Sequence, residues 1–219
     1  MASRAEVPEA SRLNLINPGW HEDIPLELHS LYRKIDKLLN GRAPGRVIEL
    51  GCASGRYLER LKSRGWDVTG VDLHPQKADF VLQHDLSRPL PFGAEFDVVI
   101  AAEVIEHIVD TEAFLASCAT ILRSEGTLIL TTPNLVFGVN RLLMLFGRRP
   151  LFAYADYHVR MFVWDDLKEK IGRHFTVEHL GGSHVLMGRR AKIGREFSAR
   201  LGDRFPTIAA HFIVAARKR

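Results

Sequence analysis

A short glycine-rich turn follows Glu49 and is the first feature of this chain that indicates ligand binding. Gly51, Ala53 and Gly55 lead straight into helix-forming sequence, and small residues at such a turn let the backbone approach a ligand closely. The spacing differs from the G-x-G-x-x-G pattern of dinucleotide-binding turns. Because Glu49 would repel a pyrophosphate, the pattern favours a cationic or amino-bearing ligand. An ordinary strand-to-helix turn has a similar composition.

Further carboxylates end the apolar segments that come next along the chain. Asp72 lies about twenty residues beyond the turn, where a carboxylate can accept both hydroxyls of a ribose. Asp85 can accept a hydrogen bond from an exocyclic amine, and Glu103 ends the fourth segment. Any one of them could simply cap a turn. Because ligands of open α/β sheets bind beyond the carboxyl ends of the strands, the repetition predicts one extended site that includes Glu49.

A Glu-x-x-Glu-His pattern at 103–107 suggests chemistry beyond binding. A helix there would bring Glu106 and His107 to the same side as Glu103, and His158 follows in a later His-x-Arg. Two carboxylates and two imidazoles suit a divalent metal ion with open positions for substrate oxygens. The alternatives are that His107 acts as a general base or orienting residue, or merely ties the helix down.

Short apolar strands alternate with helical segments and position these residues in an α/β fold. Hydrophobic periodicity predicts helices at 22–40, 55–64, 111–122 (capped by Thr111) and 165–172, and strands at 46–50, 67–71, 79–83, 96–101, 127–132, 174–180 and 212–214. This alternation indicates a mostly parallel sheet covered by helices on both faces. No clear helical pattern separates the final two strands, which leaves room for an antiparallel hairpin at one edge.

The composition is that of a globular domain. The 219 residues are 46% hydrophobic and 26% charged, which fits a single well-buried core. We expect residues 1–21 to form a flexible arm and residues 22–219 to form one domain. We recognise neither a signal-peptide pattern nor an apolar run long enough to span a membrane in this sequence. The two cysteines, Cys52 and Cys118, favour a reducing cytoplasm over a disulfide framework or a zinc site.

Basic residues are concentrated near the end of the chain. The formal net charge is +4, and residues 189–204 hold six basic side chains against two acidic ones. A solvated face accounts for such a cluster. An anionic partner such as a phosphate, a lipid headgroup or a nucleic acid is the alternative.

Several strand-end motifs together resemble the class I S-adenosylmethionine-dependent methyltransferases. They are Val-Ile-Glu-Leu-Gly-Cys-Ala-Ser-Gly, Gly-Val-Asp, Asp-Leu-x-x-Pro-Leu-Pro-Phe, Phe-Asp-Val-Val-Ile and Glu-Gly-Thr-Leu-Ile-Leu-Thr-Thr-Pro-Asn, over roughly residues 46 to 216. The resemblance implies a Rossmann-like seven-stranded sheet with an antiparallel last strand. It implies that the turn holds the methionyl part of S-adenosylmethionine, Asp72 the ribose and Asp85 with Leu86 the adenine. The full set of implied cofactor-binding residues is Glu49, Gly51, Cys52, Ala53, Gly55, Asp72, Leu73, Asp85, Leu86, Ala102 and Glu103.

The Glu-x-x-Glu-His motif is similar to that of two branches of this family. One contains metal-dependent ubiquinone-type O-methyltransferases, and the other contains small-RNA 2′-O-methyltransferases that bind Mg²⁺ or Mn²⁺ through this motif and a later histidine. The resemblance implies that Glu103, Glu106, His107 and His158 are catalytic or metal-binding. We predict O-methylation of a small or lipid-linked acceptor. The alternatives are a metal-dependent RNA 2′-O-methyltransferase and a non-catalytic protein that binds the cofactor.

Residues 133–160 form an insertion between a strand and a helix, and they resemble those of a bacterial subgroup that includes ubiquinone-type enzymes. Its apolar residues Leu142, Leu143, Leu145 and Phe146 could pack on the core, or cover an apolar substrate as a lid. A third alternative is peripheral membrane contact through 135–149, aided by the basic pair at 148–149.

Overall fold

The computed structural model describes residues 30–75, 78–152, 158–185 and 192–219. The expected arm at 1–21, the first part of the predicted helix 22–40 and the basic pair 189–190 therefore lie outside the described residues, as does the 153–157 part of the insertion. Within the described ranges, no helix is both long enough and apolar enough to cross a bilayer.

Seven strands form one mixed sheet in the order β3-β2-β1-β4-β5-β7-β6. The pairs among β1 to β5 are parallel, whereas β7 is antiparallel to both β5 and β6. The strands are β1 (Arg46–Leu50), β2 (Asp67–Asp72), β3 (Val81–Gln83), β4 (Phe96–Ala102), β5 (Leu122–Pro133), β6 (Phe175–Gly182) and β7 (His211–Lys218). The predicted mostly parallel sheet with an antiparallel last strand is confirmed.

One described helix precedes β1, and the others lie between strands. The helices are α1 (Ser30–Leu39), α2 (Arg56–Lys62), α3 (Thr111–Ile121), α4 (Gly138–Leu145), α5 (Trp164–Gly172) and α6 (Lys192–Arg204). Asp110, not Thr111, caps α3, because its carboxylate accepts the backbone N–H of Ala113 at 3.0 Å. An aspartate is at least as good a cap as a threonine, and Thr111 is the first helical residue.

The alternation of side chains along the strands divides the core into two layers. Val47 of β1 and Val98 of β4 pack with helices α1 and α2. Ile48 and Val99 point to the opposite face and pack with α3 and α5. Because side chains alternate along a strand, Glu49 belongs to the same face as Val47 and lies under α1 and α2. This register buries a carboxylate in an otherwise apolar layer.

The last part of the sheet differs from the sequence-based expectation. A helix, α6, does lie between β6 and β7, and its Gly, Ser and charged residues explain why no apolar periodicity revealed it. Strand β7 lies between β5 and β6, so the outermost strand at this edge is β6. The predicted strand 127–132 is also longer, since β5 begins at Leu122 and bulges before it pairs Thr127 with Val98.

Candidate active site

The candidate site lies where the strand order reverses, between β1 and β4. These two strands are adjacent, with Leu50 opposite Ala101, yet the chain leaves β1 towards β2 and leaves β4 towards β5. Connections that diverge from neighbouring parallel strands leave a crevice at the carboxyl ends. The turn after β1 and the Glu-x-x-Glu-His segment after β4 both open onto this crevice.

The turn after β1 has the backbone conformation that its small residues allow. Gly51, Ala53 and Gly55 all have positive φ, at 71°, 47° and 74°. A Cβ at Gly51 would lie 2.6 Å from Cγ2 of Val104, so a side chain at this position would collide with the segment after β4. The N–H of Gly51 donates to the carbonyl of Val71 at 2.7 Å. The turn is therefore held against β2 and folded tightly enough for close backbone approach.

Glu49 is buried beside this turn, and one of its oxygens lacks a partner among the described residues. Its side chain is 1% exposed. Tyr32 of α1 donates a hydrogen bond to Oε1 at 3.1 Å, while within the same part of the chain Oε2 has no hydrogen-bond partner. Burial, reinforced by the negative charge of Asp72, raises the pKa of Glu49 to about 8, although the Tyr32 hydrogen bond opposes this rise. A buried carboxylate oxygen with unused acceptor capacity suits an incoming ammonium group.

Asp72 is the last residue of β2, and Asp85 closely follows β3, as expected from the sequence. Asp72 accepts the backbone N–H of Ala53 and that of His74, both at 2.8 Å, so it ties the turn to the end of β2. Asp85 accepts the N–H of Ser87 at 2.9 Å and its hydroxyl at 2.7 Å, which is a local turn contact. Both carboxylates keep lone pairs for ligand hydroxyls or amines.

The other residues assigned to the cofactor line the same region. Cys52 is buried, and burial raises the pKa of its thiol above the usual range, so it serves packing rather than nucleophilic chemistry. Leu73 and Leu86 are half-buried. Ala102 packs against the same cluster as Tyr32. The structure brings these positions to one edge of the sheet, and their roles in binding stay predictions.

The second group of polar residues follows β4. One potential ligand atom from each of Glu106, His107 and His158 lies within 4.8 Å of the others. Glu106 Oε2 accepts a hydrogen bond from Thr132 at 2.9 Å, but Oε1 is buried and has no hydrogen-bond partner in the described ranges of the chain. Burial first, and then the nearby Glu103, raise the pKa of Glu106 well above its usual range. Such an arrangement can hold a cation or share a proton.

Backbone contacts explain how His158 reaches this group across more than fifty residues of chain. The carbonyl of Glu106 accepts the N–H groups of Val159 and Arg160, both at 3.0 Å. The Arg160 guanidinium also donates to the carbonyl of Val109. The His158 Nδ1 is 2.8 Å from the Phe152 carbonyl, which can only accept, so Nδ1 carries the proton and Nε2 is the acceptor of the neutral ring.

Glu103 departs from the predicted helix and from the predicted metal cluster. A single 3₁₀ turn at Ile105–His107 replaces the helix, because Glu103 ends β4 with a left-handed φ of 57°. This conformation costs about 1–2 kcal/mol for a residue with a Cβ. Its carboxylate accepts from Thr131 at 2.8 Å and lies 3.4 Å from His211 Nε2. Glu103 is therefore adjacent to the cluster but is not grouped with it.

Tyr32, Thr131, Thr132 and His211 were missed by the sequence reasoning. Thr131 and Thr132 lie in the Glu-Gly-Thr-Leu-Ile-Leu-Thr-Thr-Pro-Asn motif, but the sequence assigned them no role, whereas Tyr32 and His211 belong to no motif. The two threonines sit on β5, and a Thr-Thr pair at the end of a strand next to the switch point is the one signal that could have revealed them. Tyr32 and His211 depend on the packing of α1 and on the order of β7 in the sheet.

Residues 21–174 match the sequence model of a family described as a methyltransferase domain. That match covers more than half of the chain and includes both polar groups at the switch point. The chain belongs to the class I S-adenosylmethionine-dependent methyltransferases. Membership implies S-adenosylmethionine as the cofactor of this methyltransferase. The turn, the orphaned Glu49 oxygen and the Asp72 carboxylate are suited to its amino acid and ribose parts.

Known relatives of this methyltransferase include ubiquinone biosynthesis O-methyltransferases. That of Rhodopseudomonas palustris (strain BisA53) is 32% identical over 117 residues, which is 47% of this chain and 46% of the relative. That of Bradyrhizobium diazoefficiens is 33% identical over 135 residues, 56% of this chain and 52% of the relative. This methyltransferase thus matches about half the length of these curated relatives.

The fold of this methyltransferase also resembles solved structures. An S-adenosylmethionine-dependent methyltransferase from Mesorhizobium loti superposes with a TM-score of 0.63 over 88% of this chain and 100% of that chain, at 14% identity. At such low identity the likeness concerns the fold alone. It confirms the predicted Rossmann-like architecture.

Proposed function

We propose that this methyltransferase transfers a methyl group from S-adenosylmethionine to an oxygen of a small or lipid-linked acceptor. The observation that carries the proposal is the adjacency of two polar groups at one switch point. Glu49 and the glycine turn form a cationic-ligand site, and Glu106, His107 and His158 form a group suited to handling a proton. The O-methyltransferase names of the relatives support an oxygen acceptor and a lipid-like one.

Bound S-adenosylmethionine supplies an electrophilic methyl group on a sulfonium. In the proposal, Glu49 accepts a hydrogen bond from the amino group of the methionyl part of the cofactor. Asp72 accepts hydrogen bonds from the ribose hydroxyls. Asp85 and Leu86 contact the adenine. Because alignment of nucleophile and methyl can account for about 7–11 kcal/mol of the barrier, the main task of these residues is to fix position and exclude water.

His107 removes or orients the acceptor proton in this proposal. Its side chain is 11% exposed, and Nε2 lies 4.0 Å from Glu106 Oε1. Its ring centroid is 5.0 Å from that of His158. Glu106, in its ionised form, would stabilise the imidazolium that forms when the His107 ring takes a proton. The acceptor hydroxyl would then face the methyl group from the side of the 3₁₀ turn.

The same residues also fit a divalent metal ion, such as Mg²⁺ or Mn²⁺. Glu106 Oε1 is a buried oxygen with no hydrogen-bond partner in the part of the chain that the structure describes, and Nε2 of His158 is the acceptor of its ring. As the alternative to a His107 base, we propose Glu106, His107 and His158 as the ligands, with Glu103 nearby rather than among them. A bound ion would lower the pKa of an acceptor hydroxyl.

An exposed apolar surface beside the site supports a lipid-linked acceptor. Helix α4 presents Leu142, Leu145 and Phe146 with 57%, 76% and 72% of their surfaces exposed, which argues against the core-packing alternative. Two arginines, 148 and 149, follow, and residues 133–152 contain no acidic residue. The combination of apolar side chains with only basic charge is complementary to an anionic lipid surface. We call residues 142–149 the apolar–basic tip.

The base of this tip is firmly attached to the domain. Asn140 is buried and donates to the carbonyls of Leu135 and Leu151 while it accepts the N–H of Leu151 at 2.7 Å. Arg141 donates to the carbonyls of Val136 and Thr207. The exposed leucines therefore project from a helix that is fixed at its base and that follows β5, the strand that carries Thr131 and Thr132. A membrane contact there would bring the acceptor site close to lipid.

The proposed activity is tested with the purified protein and a panel of acceptors. We expect methyl transfer from labelled S-adenosylmethionine to the hydroxyl of a prenylated phenol, with an Asp72→Ala variant as the control that loses cofactor binding. Transfer only to RNA would favour the 2′-O-methyltransferase alternative instead. Cofactor binding without transfer to any acceptor would favour the non-catalytic alternative, which membership in an enzyme family argues against.

A further inference from the structure

A chain of three buried or half-buried side chains crosses from β6 to the end of β4. Ser183 Oγ lies 2.9 Å from His211 Nδ1, and His211 Nε2 lies 3.4 Å from Glu103 Oε2. The three residues come from segments that are adjacent only because β7 lies between β5 and β6. The arrangement ends at a carboxylate beside the proposed acceptor site.

The hydrogen bonds of Ser183 determine which nitrogen of His211 carries the proton. Ser183 is 0% exposed, and its Oγ accepts the backbone N–H of His211 at 3.1 Å. A buried hydroxyl must also donate its own proton, and Nδ1 of His211 is an acceptor within reach. Nδ1 is therefore unprotonated in the neutral ring, and the ring proton is on Nε2, which faces Glu103.

Glu103 is held on both carboxylate oxygens by groups outside its own segment. Thr131 donates to Oε1 and accepts the backbone N–H of Glu103 at 3.2 Å. His211 Nε2–H faces Oε2. These contacts keep Glu103 in its unfavourable left-handed conformation, because a strained residue persists only where the surrounding structure fixes its position. The Glu103 side chain remains 19% exposed, so it is accessible from the crevice.

His211 also lies on the acceptor side of the site. It pairs with Pro133 at the end of β5, and its ring centroid is 5.5 Å from that of Phe152, in the insertion that supports His158. The neighbouring His184 has its pKa lowered to about 4 by burial and by His211, so the His184 ring is uncharged near neutral pH.

We propose that His211 is a positioning residue whose tautomer is set by Ser183, and that it orients the Glu103 carboxylate to accept a hydrogen bond from the acceptor hydroxyl. The role of Glu103 in this proposal rests on the proposed O-methyl transfer. The tautomer of His211 does not, because it follows from contacts within the protein alone.

The first test is ¹⁵N NMR of the histidine rings in the protein without acceptor. We expect His211 to show the Nε2–H tautomer in the unaltered chain and a mixture of tautomers in the Ser183→Ala variant. A His211 ring protonated on Nδ1 in the unaltered chain would overturn the proposal. This measurement needs no methyl transfer, so it separates failure of the proposal from failure of the proposed function.

The second test compares substitutions of His211. In His211→Phe we expect the acceptor KM to rise about tenfold or more, while the dissociation constant for S-adenosylhomocysteine changes less than about threefold. His211→Gln keeps an amide N–H near the position of Nε2 and should restore KM to within about threefold of the original. The exposed His179 of β6 provides the matched control, His179→Phe. Equal KM values for all variants, or a loss that His211→Gln does not rescue, would contradict the role of His211.

Discussion

Tyr32 donates a hydrogen bond to Oε1 of Glu49 at 3.1 Å and thereby connects helix α1 to the strand that precedes the cofactor turn. The two rings of Tyr32 and Tyr57 pack with centroids 4.5 Å apart above this carboxylate. The hydrogen bond stabilises the ionised form of a group that burial otherwise keeps protonated. The position of α1 therefore affects how much of Glu49 is ionised and able to bind the amino group of the cofactor.

Removal of this hydrogen bond is expected to weaken cofactor binding in a pH-dependent way. Tyr32→Phe should raise the pKa of Glu49 further, so that less of it is ionised near neutral pH and the dissociation constant for S-adenosylhomocysteine rises about tenfold. The difference should shrink at alkaline pH. Calorimetric titration measures it. Tyr57→Phe is the matched control, because its hydroxyl bonds to Asp36 instead, and an equal loss in both variants would contradict the explanation.

Glu49 should also make stability depend on pH. The pKa of Glu49 is about 8 in the folded protein, whereas the ordinary pKa of a glutamate, which the unfolded chain has, is 4.5. Between these values the folded state binds more protons, so stability falls as pH rises, by up to about 1.4 kcal/mol for each pH unit. In the absence of cofactor, Glu49→Gln should remove this contribution. Denaturant unfolding at several pH values measures the difference between the two proteins, which should widen from acidic to alkaline pH.

Substitutions in the acidic segment distinguish the ligands of the proposed metal ion. We expect the unaltered protein to bind Mn²⁺, Glu106→Gln to lose this binding, and Glu103→Gln to retain it, because the structure groups Glu106 with both histidines and leaves Glu103 to Thr131 and His211. Paramagnetic resonance of Mn²⁺ follows binding without reference to activity. Loss of binding in Glu103→Gln would restore the four-ligand set, and no binding by the unaltered protein, with transfer insensitive to a chelator, would exclude the metal.

The apolar–basic tip predicts binding to anionic membranes. We expect the protein to sediment with vesicles that contain phosphatidylglycerol but not with pure phosphatidylcholine, and salt should weaken the interaction. Phe146→Glu should abolish sedimentation, since it places a negative charge among the exposed apolar residues. Phe197→Glu is the control, because Phe197 of α6 is similarly exposed, at 59%. If both variants sediment as the unaltered protein does, the tip is not the contact.

The periodicity of the chain was enough to predict the sheet core and the sites at its strand ends. Strands β1, β2 and β4 are largely apolar runs with Glu49, Asp72 and Glu103 in or next to their last residues. Parallel strands bring their carboxyl ends to one edge of the sheet, and the carboxylates with them. Helix α6 escaped detection, because its glycines and charges give it no clear apolar face.

What the sequence determined by itself was the family, the glycine turn and the order of the carboxylates, because these depend on local spacing. The tertiary structure alone decided the partners of those carboxylates. Tyr32 reaches Glu49 through the packing of α1. His211 reaches Glu103 because β7 lies between β5 and β6 and not at the edge of the sheet. The left-handed φ of Glu103 replaced the expected helix with one turn, since long-range contacts to Thr131 outweighed the local helical spacing.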